Sequence, residues 1–304
     1  MIIIYAMMMF GVWSLIFPLS KIALQSAPPV FLTSMRMLLA GVVLLGFLLV
    51  KDKKQLKIGK KQIVPLLVLS LCSIYFANVF EFYSMQHLSP VKVCFIYGLS
   101  PFLAVFLSYL HFKEKITKKK VLGMAIGVIG MIPVFLLEEG TLKGFTFADV
   151  VMLGAVFFSV YGWILLRVIV KDNTFSPIYA NGYSMLFGGA IALVHSFLVD
   201  TWAPVPIVDG KVFMTVGLVV LMTVLSNIIC YNWYGYLLKR STATLLSFCG
   251  LFSPIFASLT SYFLVGEPFS PIIFFSTTIL LSGLFLIYQT ELKQGYITAT
   301  SSKA

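Results

Sequence analysis

The stretch SPIFASLTSYFLVGE, residues 253–267, rewrites a pattern already present at residues 100–114 as SPFLAVFLSYLHFKE. At an offset of 153, serine, proline, alanine, serine, tyrosine and glutamate recur in the same places. A second pair, PVFLTSMRMLLAG at 29–41 and PIYANGYSMLFGG at 177–189, shares its first proline, its Met-Leu step and its last glycine at an offset of 148. Gly130 likewise stands 153 residues before Gly283. The chain is therefore expected to hold two related halves.

Both copies sit inside apolar sequence. Of 304 residues, 60% are hydrophobic and 11% charged, with a mean hydropathy of +0.99, more apolar than a soluble core of this size requires. Runs of about 20 apolar residues lie at roughly 2–25, 30–50, 63–86, 89–110, 121–138, 147–170, 176–199, 212–238, 243–265 and 268–289. At 1.5 Å per residue each reaches across the ~30 Å of a bilayer core. A transmembrane barrel would show segments of about 10 residues with alternating polarity, and these runs are continuous. The fold class expected is all-α and integral to the membrane, with ten helices as two five-helix repeats: residues 1–138, a linker at 139–146, residues 147–290, and a cytoplasmic tail at 291–304. An odd number of spans per repeat makes the second copy enter from the opposite side, so the repeats are expected to be inverted. The first run lacks a basic leader and continues through Trp13 and Pro18, which favours a retained helix over a cleaved signal.

The formal charge of +11 follows the same arrangement. Lys51, Lys53, Lys54, Lys57, Lys60 and Lys61 follow the second run, and Lys113, Lys115, Lys118, Lys119 and Lys120 the fourth; Arg167 with Lys171 and Lys239 with Arg240 mark the sixth and eighth. Alternate loops are thus basic, while the intervening ones carry Glu138, Glu139, Asp200, Asp209 and Glu267. This predicts cytoplasmic termini in a bacterial inner membrane and assigns the cations to topology, with no nucleic-acid partner. Cys72, Cys94, Cys230 and Cys249 all fall in apolar runs without close spacing and read as small buried residues. His87, His111 and His195 lie near span ends without metal-ligand spacing. No H-E-x-x-H, G-x-G-x-x-G or phosphate-binding loop occurs, so no enzyme, metal or cofactor is expected, and ATP is not the energy source.

Proline removes a backbone donor and bends a membrane helix, which predicts kinks at Pro18, Pro101 and Pro254. Glu114 and Glu267 are expected to end spans four and nine on opposite faces. Gly123, Gly127 and Gly130 in the fifth span permit close helix approach.

With the repeats, Trp13-Ser14 in the first span, Arg36 opening RMLLA in the second, and the Ser-Pro…Glu motif followed by VLGMAIGVIG, the chain resembles the EamA-type transporters of the drug/metabolite transporter superfamily over residues 2–289. The resemblance implies a metabolite permease without cofactors; many members export amino acids or related solutes, and some carry nucleotide-derived metabolites. Ser159 departs from the pattern, standing where the family often has an aromatic residue, with Trp163 one turn on.

Charges within spans are costly and need a reason. Arg36 and Glu81 each lie about six residues, roughly 9 Å, inside the outer end of their spans, with Lys92 and Lys21 closer to that surface. One explanation is an Arg36–Glu81 ion pair joining two helices, with Lys21 and Lys92 snorkelling. The other is a vestibule for a zwitterion, Glu81 facing an ammonium or sulfonium and Arg36 or Lys92 a carboxylate. Their repeat equivalents, Ser184, Tyr234 and Leu245, carry no charge. Trp13, Trp163 and Trp233 lie deep in their spans, whereas tryptophan prefers the interface. Tyr75, Asn78 and Glu81 recur every three residues on one span, and Asn227, Tyr231 and Tyr234 stand four and three apart on one face of its partner. The candidate substrate-binding set is therefore Glu81, Asn78, Tyr75, Arg36, Lys92, Trp13, Trp163, Asn227, Tyr231 and Tyr234. It suits an amphipathic metabolite with a ring and an amino-acid end. S-adenosylmethionine fits both, as do aromatic amino acids. Proton or counter-solute coupling would drive the movement; a polytopic receptor or membrane-embedded enzyme is the rival class.

Overall fold

The computed structural model describes residues 2–51, 53–113, 115–138, 141–142, 145–170, 175–239, 241, 243–266 and 271–295. It is helical apart from a ribbon of two two-residue strands, Leu137–Glu138 and Thr141–Leu142. In chain order the helices are α1 (Ile2–Ser14), α2 (Ile16–Ala23), α3 (Pro29–Lys51), α4 (Lys60–Leu69), α5 (Ala77–His87), α6 (Pro90–Ile96), α7 (Ser100–Phe112) and α8 (Lys118–Leu136). They continue as α9 (Phe147–Val170), α10 (Pro177–Val199), α11 (Val212–Met222), α12 (Tyr231–Leu238), α13 (Ala243–Cys249), α14 (Ser253–Leu264) and α15 (Pro271–Lys293). Ser-Pro pairs start several of them. The Ser89 and Ser176 hydroxyls accept from the backbone N–H groups of Lys92 and Tyr179, both at 3.2 Å, and Pro90 and Pro177 fill first-turn positions that need no donor.

Eight stretches among the described residues are long and apolar enough to cross a membrane: Ile4–Ala23, Pro29–Lys51, Gln62–His87, Pro90–Phe112, Phe147–Val170, Pro177–Val199, Val212–Leu238 and Pro271–Thr290. The fifth and ninth expected spans correspond to α8 and to the α13–α14 pair, which fall outside that set. Burial runs opposite to that of a water-soluble domain: Ser14, Ser20, Ser26, Thr33 and Ser34 are fully buried, while Phe213 is 94% and Val50 89% exposed. Apolar side chains facing outward around a core that holds hydroxyls is what lipid as solvent selects. The chain is an integral membrane protein.

Two of these spans are wound unevenly. Between α4 and α5 the segment Ser70–Phe76 is a π-helix, and between α11 and α12 so is Thr223–Cys230. Ala77 N–H bonds Cys72 O and Tyr231 N–H bonds Ser226 O, five residues back in each case. Asparagine side chains serve the carbonyls this winding displaces. Asn78 Nδ2 donates to Ser73 O at 3.1 Å and Ile74 O at 3.0 Å, and Asn232 Nδ2 to Asn227 O at 3.4 Å and Ile228 O at 2.8 Å. Single 3₁₀ turns, Tyr97–Leu99 and Gly250–Phe252, separate α6 from α7 and α13 from α14.

The expected kinks at Pro101 and Pro254 take this form. Each proline lies in the first turn of the helix that follows a 3₁₀ turn, where its missing N–H costs no interior bond. Pro18 lies in α2, just beyond the break between α1 and α2 at Leu15. Helix α7 ends on Lys113 in the left-handed region (φ 56), and the position 153 residues on, after α14, is Gly266 (φ 76). Glu114 and Glu267 themselves lie outside the described residues, as do residues 139–140, 143–144 and 296–304 of the expected linker and tail.

Helices α3 and α10 pack at their shared motif. A Cβ on Gly41 would come within 2.7 Å of Leu186 N, and one on Gly189 within 2.8 Å of Leu38 N, so the two backbones touch reciprocally. Helices α8 and α15 meet in the same way, where Gly123 and Gly283 face each other's carbonyl oxygens. Substituting alanine at Gly41 forces helices apart that have no slack, and is expected to destabilise the protein by about 1–3 kcal/mol. Thermal unfolding of the purified variant in detergent checks this, with Gly46→Ala, where nothing lies within 4 Å, as the neutral control.

Candidate functional site

A cavity with about 810 Å³ of unfilled space, its mouth included, lies among α1, α2, α3, α5, the two 3₁₀ turns, α9 and α12. Its charged groups are Arg36 from α3 and Glu81 from α5. Its apolar wall is aromatic: Trp13 and Phe10 from α1, Trp163 from α9, Tyr231 and Tyr234 from α12. These rings are in mutual contact, with centroids 4.3 Å apart for Trp163 and Tyr234, 4.9 Å for Trp163 and Tyr231, and 5.2 Å for Trp13 and Tyr231. Tryptophan sits this deep because neighbouring rings, not lipid, surround it.

Arg36 is 2% exposed. Its Nη2 donates to Asn227 Oδ1 at 3.3 Å and its guanidinium carbon stands 5.0 Å from the centre of the Phe82 ring, but Nε and Nη1 have no hydrogen-bond partner. The ion pair with Glu81 expected as a structural alternative is not formed. Glu81 takes a neutral donor instead: Tyr97 Oη donates to Glu81 Oε2 at 2.6 Å, the short range of a hydroxyl on a carboxylate. The Ser159 hydroxyl is a further hydrogen-bonding neighbour of Tyr97. The cavity thus holds an acid and a base facing the same space, within reach of each other's field but without a salt bridge between them. Such an arrangement has its charges free for a ligand that carries both signs.

Seven of the ten residues picked from the sequence line this cavity: Arg36, Asn78, Glu81, Trp13, Trp163, Tyr231 and Tyr234. Asn78 does so with its donors already engaged by Ser73, Ile74 and, at 3.4 Å, the Tyr231 hydroxyl. Asn227 is fully buried behind Arg36, acts on the cavity through that side chain, and donates to Met37 Sδ at 3.1 Å.

Tyr75 and Lys92 are absent from the cavity lining. The three-residue spacing that grouped Tyr75 with Asn78 and Glu81 assumes regular α winding, and the π segment that contains Tyr75 turns its side chain toward α10, where its hydroxyl bonds His195 Nδ1 at 2.9 Å. Lys92 neither snorkels nor faces the cavity: it is 4% exposed and its Nζ lies 3.1 Å from Oδ1 of Asp149, itself fully buried. Asp149 also forms a capping box at the start of α9, its Oδ2 accepting from Thr146 N at 2.8 Å and Oγ1 at 2.7 Å. Lys21 donates to Met85 O at 2.7 Å and Leu88 O at 3.1 Å, at the C-terminal end of α5.

A buried ion pair costs most when half of it is removed. Lys92→Met leaves Asp149 charged and unpaired, and is expected to cost about 3–5 kcal/mol. The double variant Lys92→Met/Asp149→Leu should recover all but about 1 kcal/mol, the value of the lost cap. Thermal unfolding of the two variants separates these outcomes.

Lining residues outside the candidate set are Phe10, Ile16, Phe17, Cys94, Tyr97 and Gly250, with the hydroxyls Ser100, Ser159, Ser226, Ser247 and Ser253. The repeat offset was a usable signal: Cys94 and Ser247, Tyr97 and Gly250, and Ser100 and Ser253 are three pairs at a spacing of 153, and all six line the cavity. No group of three or more His, Cys, Asp or Glu placed to hold a metal occurs among the described residues.

The model of the EamA-like transporter family matches residues 1–136 and again 146–289. An S-adenosylmethionine/S-adenosylhomocysteine transporter of Chlamydia trachomatis serovar L2 is 39% identical over 296 residues, 94% of this chain and 88% of the relative. A Chlamydia muridarum protein of the same description is 37% identical over 95% of this chain and 92% of its own. An uncharacterised transporter of Bacillus subtilis is 28% identical over 83% of this chain and 82% of its own. A solved crystal structure superposes with a TM-score of 0.69 over 96% of this chain and 97% of that one, at 16% identity, a likeness of fold.

Proposed function

The chain belongs to the EamA-like transporter family of the drug/metabolite superfamily, and from that premise we propose that it carries S-adenosylmethionine and S-adenosylhomocysteine across a bacterial inner membrane. It is a transporter and not an enzyme, as its relatives are. The observation that carries the substrate reading is Arg36, a buried guanidinium with two unpartnered nitrogens on a cavity that also holds Glu81. A carboxylate satisfies Arg36, an ammonium satisfies Glu81, and an α-amino acid presents both on one carbon. The aromatic wall beside them suits the adenine ring, by stacking on Trp13, Trp163 or Tyr231. Methionine supplies the head without the ring, and adenosine the ring without the head.

Movement, in this reading, is alternating access between two inverted five-helix repeats, residues 1–138 and 147–290, joined by 139–146. Several equivalences support it. Both halves carry a π segment and a 3₁₀ turn at corresponding places, and Lys113 and Gly266 share a left-handed backbone. The Gly41–Leu186 contact mirrors the Gly189–Leu38 contact, and Asn78 touches Tyr231, its own counterpart at an offset of 153. The pseudo-twofold axis then passes through the cavity, where a site reachable from either side must lie. In this reading both termini and the 291–304 tail are cytoplasmic, which the basic alternate loops support.

Purified full-length protein in liposomes tests the substrate. Labelled S-adenosylmethionine should enter, unlabelled S-adenosylhomocysteine should compete, and methionine and adenosine should compete poorly. A receptor moves nothing, so binding without uptake sinks the reading, and so does equal competition by methionine.

A further inference from the structure

Among the described residues lining the cavity, Arg36 and Glu81 alone carry a formal charge, so the described wall sums to zero. The remainder is rings, hydroxyls, the Cys94 thiol, the Asn78 amide, Ile16 and Gly250. Lys92 and Asp149, which also lie within the spans, neutralise each other outside the cavity. This balance matters once the substrate assignment above, on which the inference rests, is taken together with the chemistry of the two solutes. Their shared amino-acid head is a zwitterion, and placing its carboxylate on Arg36 and its ammonium on Glu81 uses both wall charges. The solutes differ at sulfur. S-adenosylmethionine is a sulfonium and bears a third charge, whereas S-adenosylhomocysteine is a neutral thioether.

No anion among the described residues of the wall is left for that third charge. What the cavity offers is the faces of Trp13, Trp163, Tyr231 and Tyr234, which attract a cation through their quadrupoles without cancelling it. The same faces accept a thioether, since sulfur against an aromatic ring is favourable too. One site can therefore hold both solutes while reading only the part they share.

We propose that the sulfonium charge crosses the membrane uncompensated, so that each S-adenosylmethionine carries one net positive charge and each S-adenosylhomocysteine none. A membrane potential that is negative inside then draws the first inward and leaves the second unbiased. For a single charge, the attainable concentration ratio changes tenfold for about every 59 mV.

The test uses the full-length protein in liposomes loaded with unlabelled S-adenosylhomocysteine, with valinomycin and potassium gradients setting the interior negative, neutral or positive. Entry of each labelled solute is followed separately. The expected result is S-adenosylmethionine accumulation that rises about tenfold per 59 mV of interior negativity and falls when the sign is reversed, with S-adenosylhomocysteine entry flat across all three conditions. Flat entry of both solutes overturns the proposal, because an anion then travels with the sulfonium. An equal response of both overturns it as well, because the moving charge then belongs to the protein or to a co-transported proton. If neither solute enters, the substrate assignment itself fails and takes this inference with it.

Discussion

Arg36→Met is expected to abolish uptake while leaving the purified protein at least as stable to heat as the original. The two halves of that result have one cause. A guanidinium that is 2% exposed, with Nε and Nη1 unpartnered, has given up hydration without full repayment from Asn227 and the Phe82 face. An apolar side chain of similar length relieves that cost, so the melting temperature should hold or rise. The substrate carboxylate loses its anchor, at about 2–5 kcal/mol, which weakens apparent affinity by roughly 30-fold or more. Arg36→Lys keeps the charge but lacks the planar fork, and should fall between. Uptake in liposomes and thermal unfolding, measured on the same preparations, decide the matter. A lower melting temperature with retained transport would make Arg36 a helix-joining residue.

Glu81→Gln is the second large effect. The amide oxygen can still accept from Tyr97, so shape and local hydrogen bonding survive and only the charge is lost. A hydrogen bond to a charged group contributes about 1.5–3 kcal/mol, so the apparent affinity for either solute should fall by roughly 10- to 150-fold at unchanged folded yield. A collapse in yield would instead mark Glu81 as structural. Combined with Arg36→Met, the loss should be less than the sum of the two, since a head that has lost one end is poorly placed for the other.

The helical membrane fold and the charged and tryptophan part of the cavity wall were legible in the sequence, because continuous apolar runs fix spans whatever their packing, and a charge or a deep tryptophan inside one needs a partner. Arg36, Glu81, Trp13 and Trp163 were found in that way. What failed was phase. Tyr75 was assigned to the Glu81 face by a regular period, and no residue type within 70–76 announces a π segment; the asparagines that serve such segments, Asn78 and Asn232, become recognisable only once the backbone is seen. Lys92 was misplaced for a different reason. Its partner Asp149 lies 57 residues away at the start of another helix, and long-range pairing leaves no mark on local sequence. Tyr97 was overlooked because a phenol in an apolar run reads as ordinary packing, although its hydroxyl is what holds the one cavity carboxylate.

The π segments have a consequence for how such genes can change. Each inserts backbone without adding a full turn, and a residue advances an α-helix by about 100°. Loss of a single codon within 70–76 would let the winding relax to α while leaving everything beyond it, Asn78 and Glu81 included, close to its present orientation, because the wide turn already holds one residue in excess. A deletion in the regular α turns just after that segment has no such slack, and would rotate the carboxylate by about 100° away from its phenol, silencing the protein without touching any residue of the cavity.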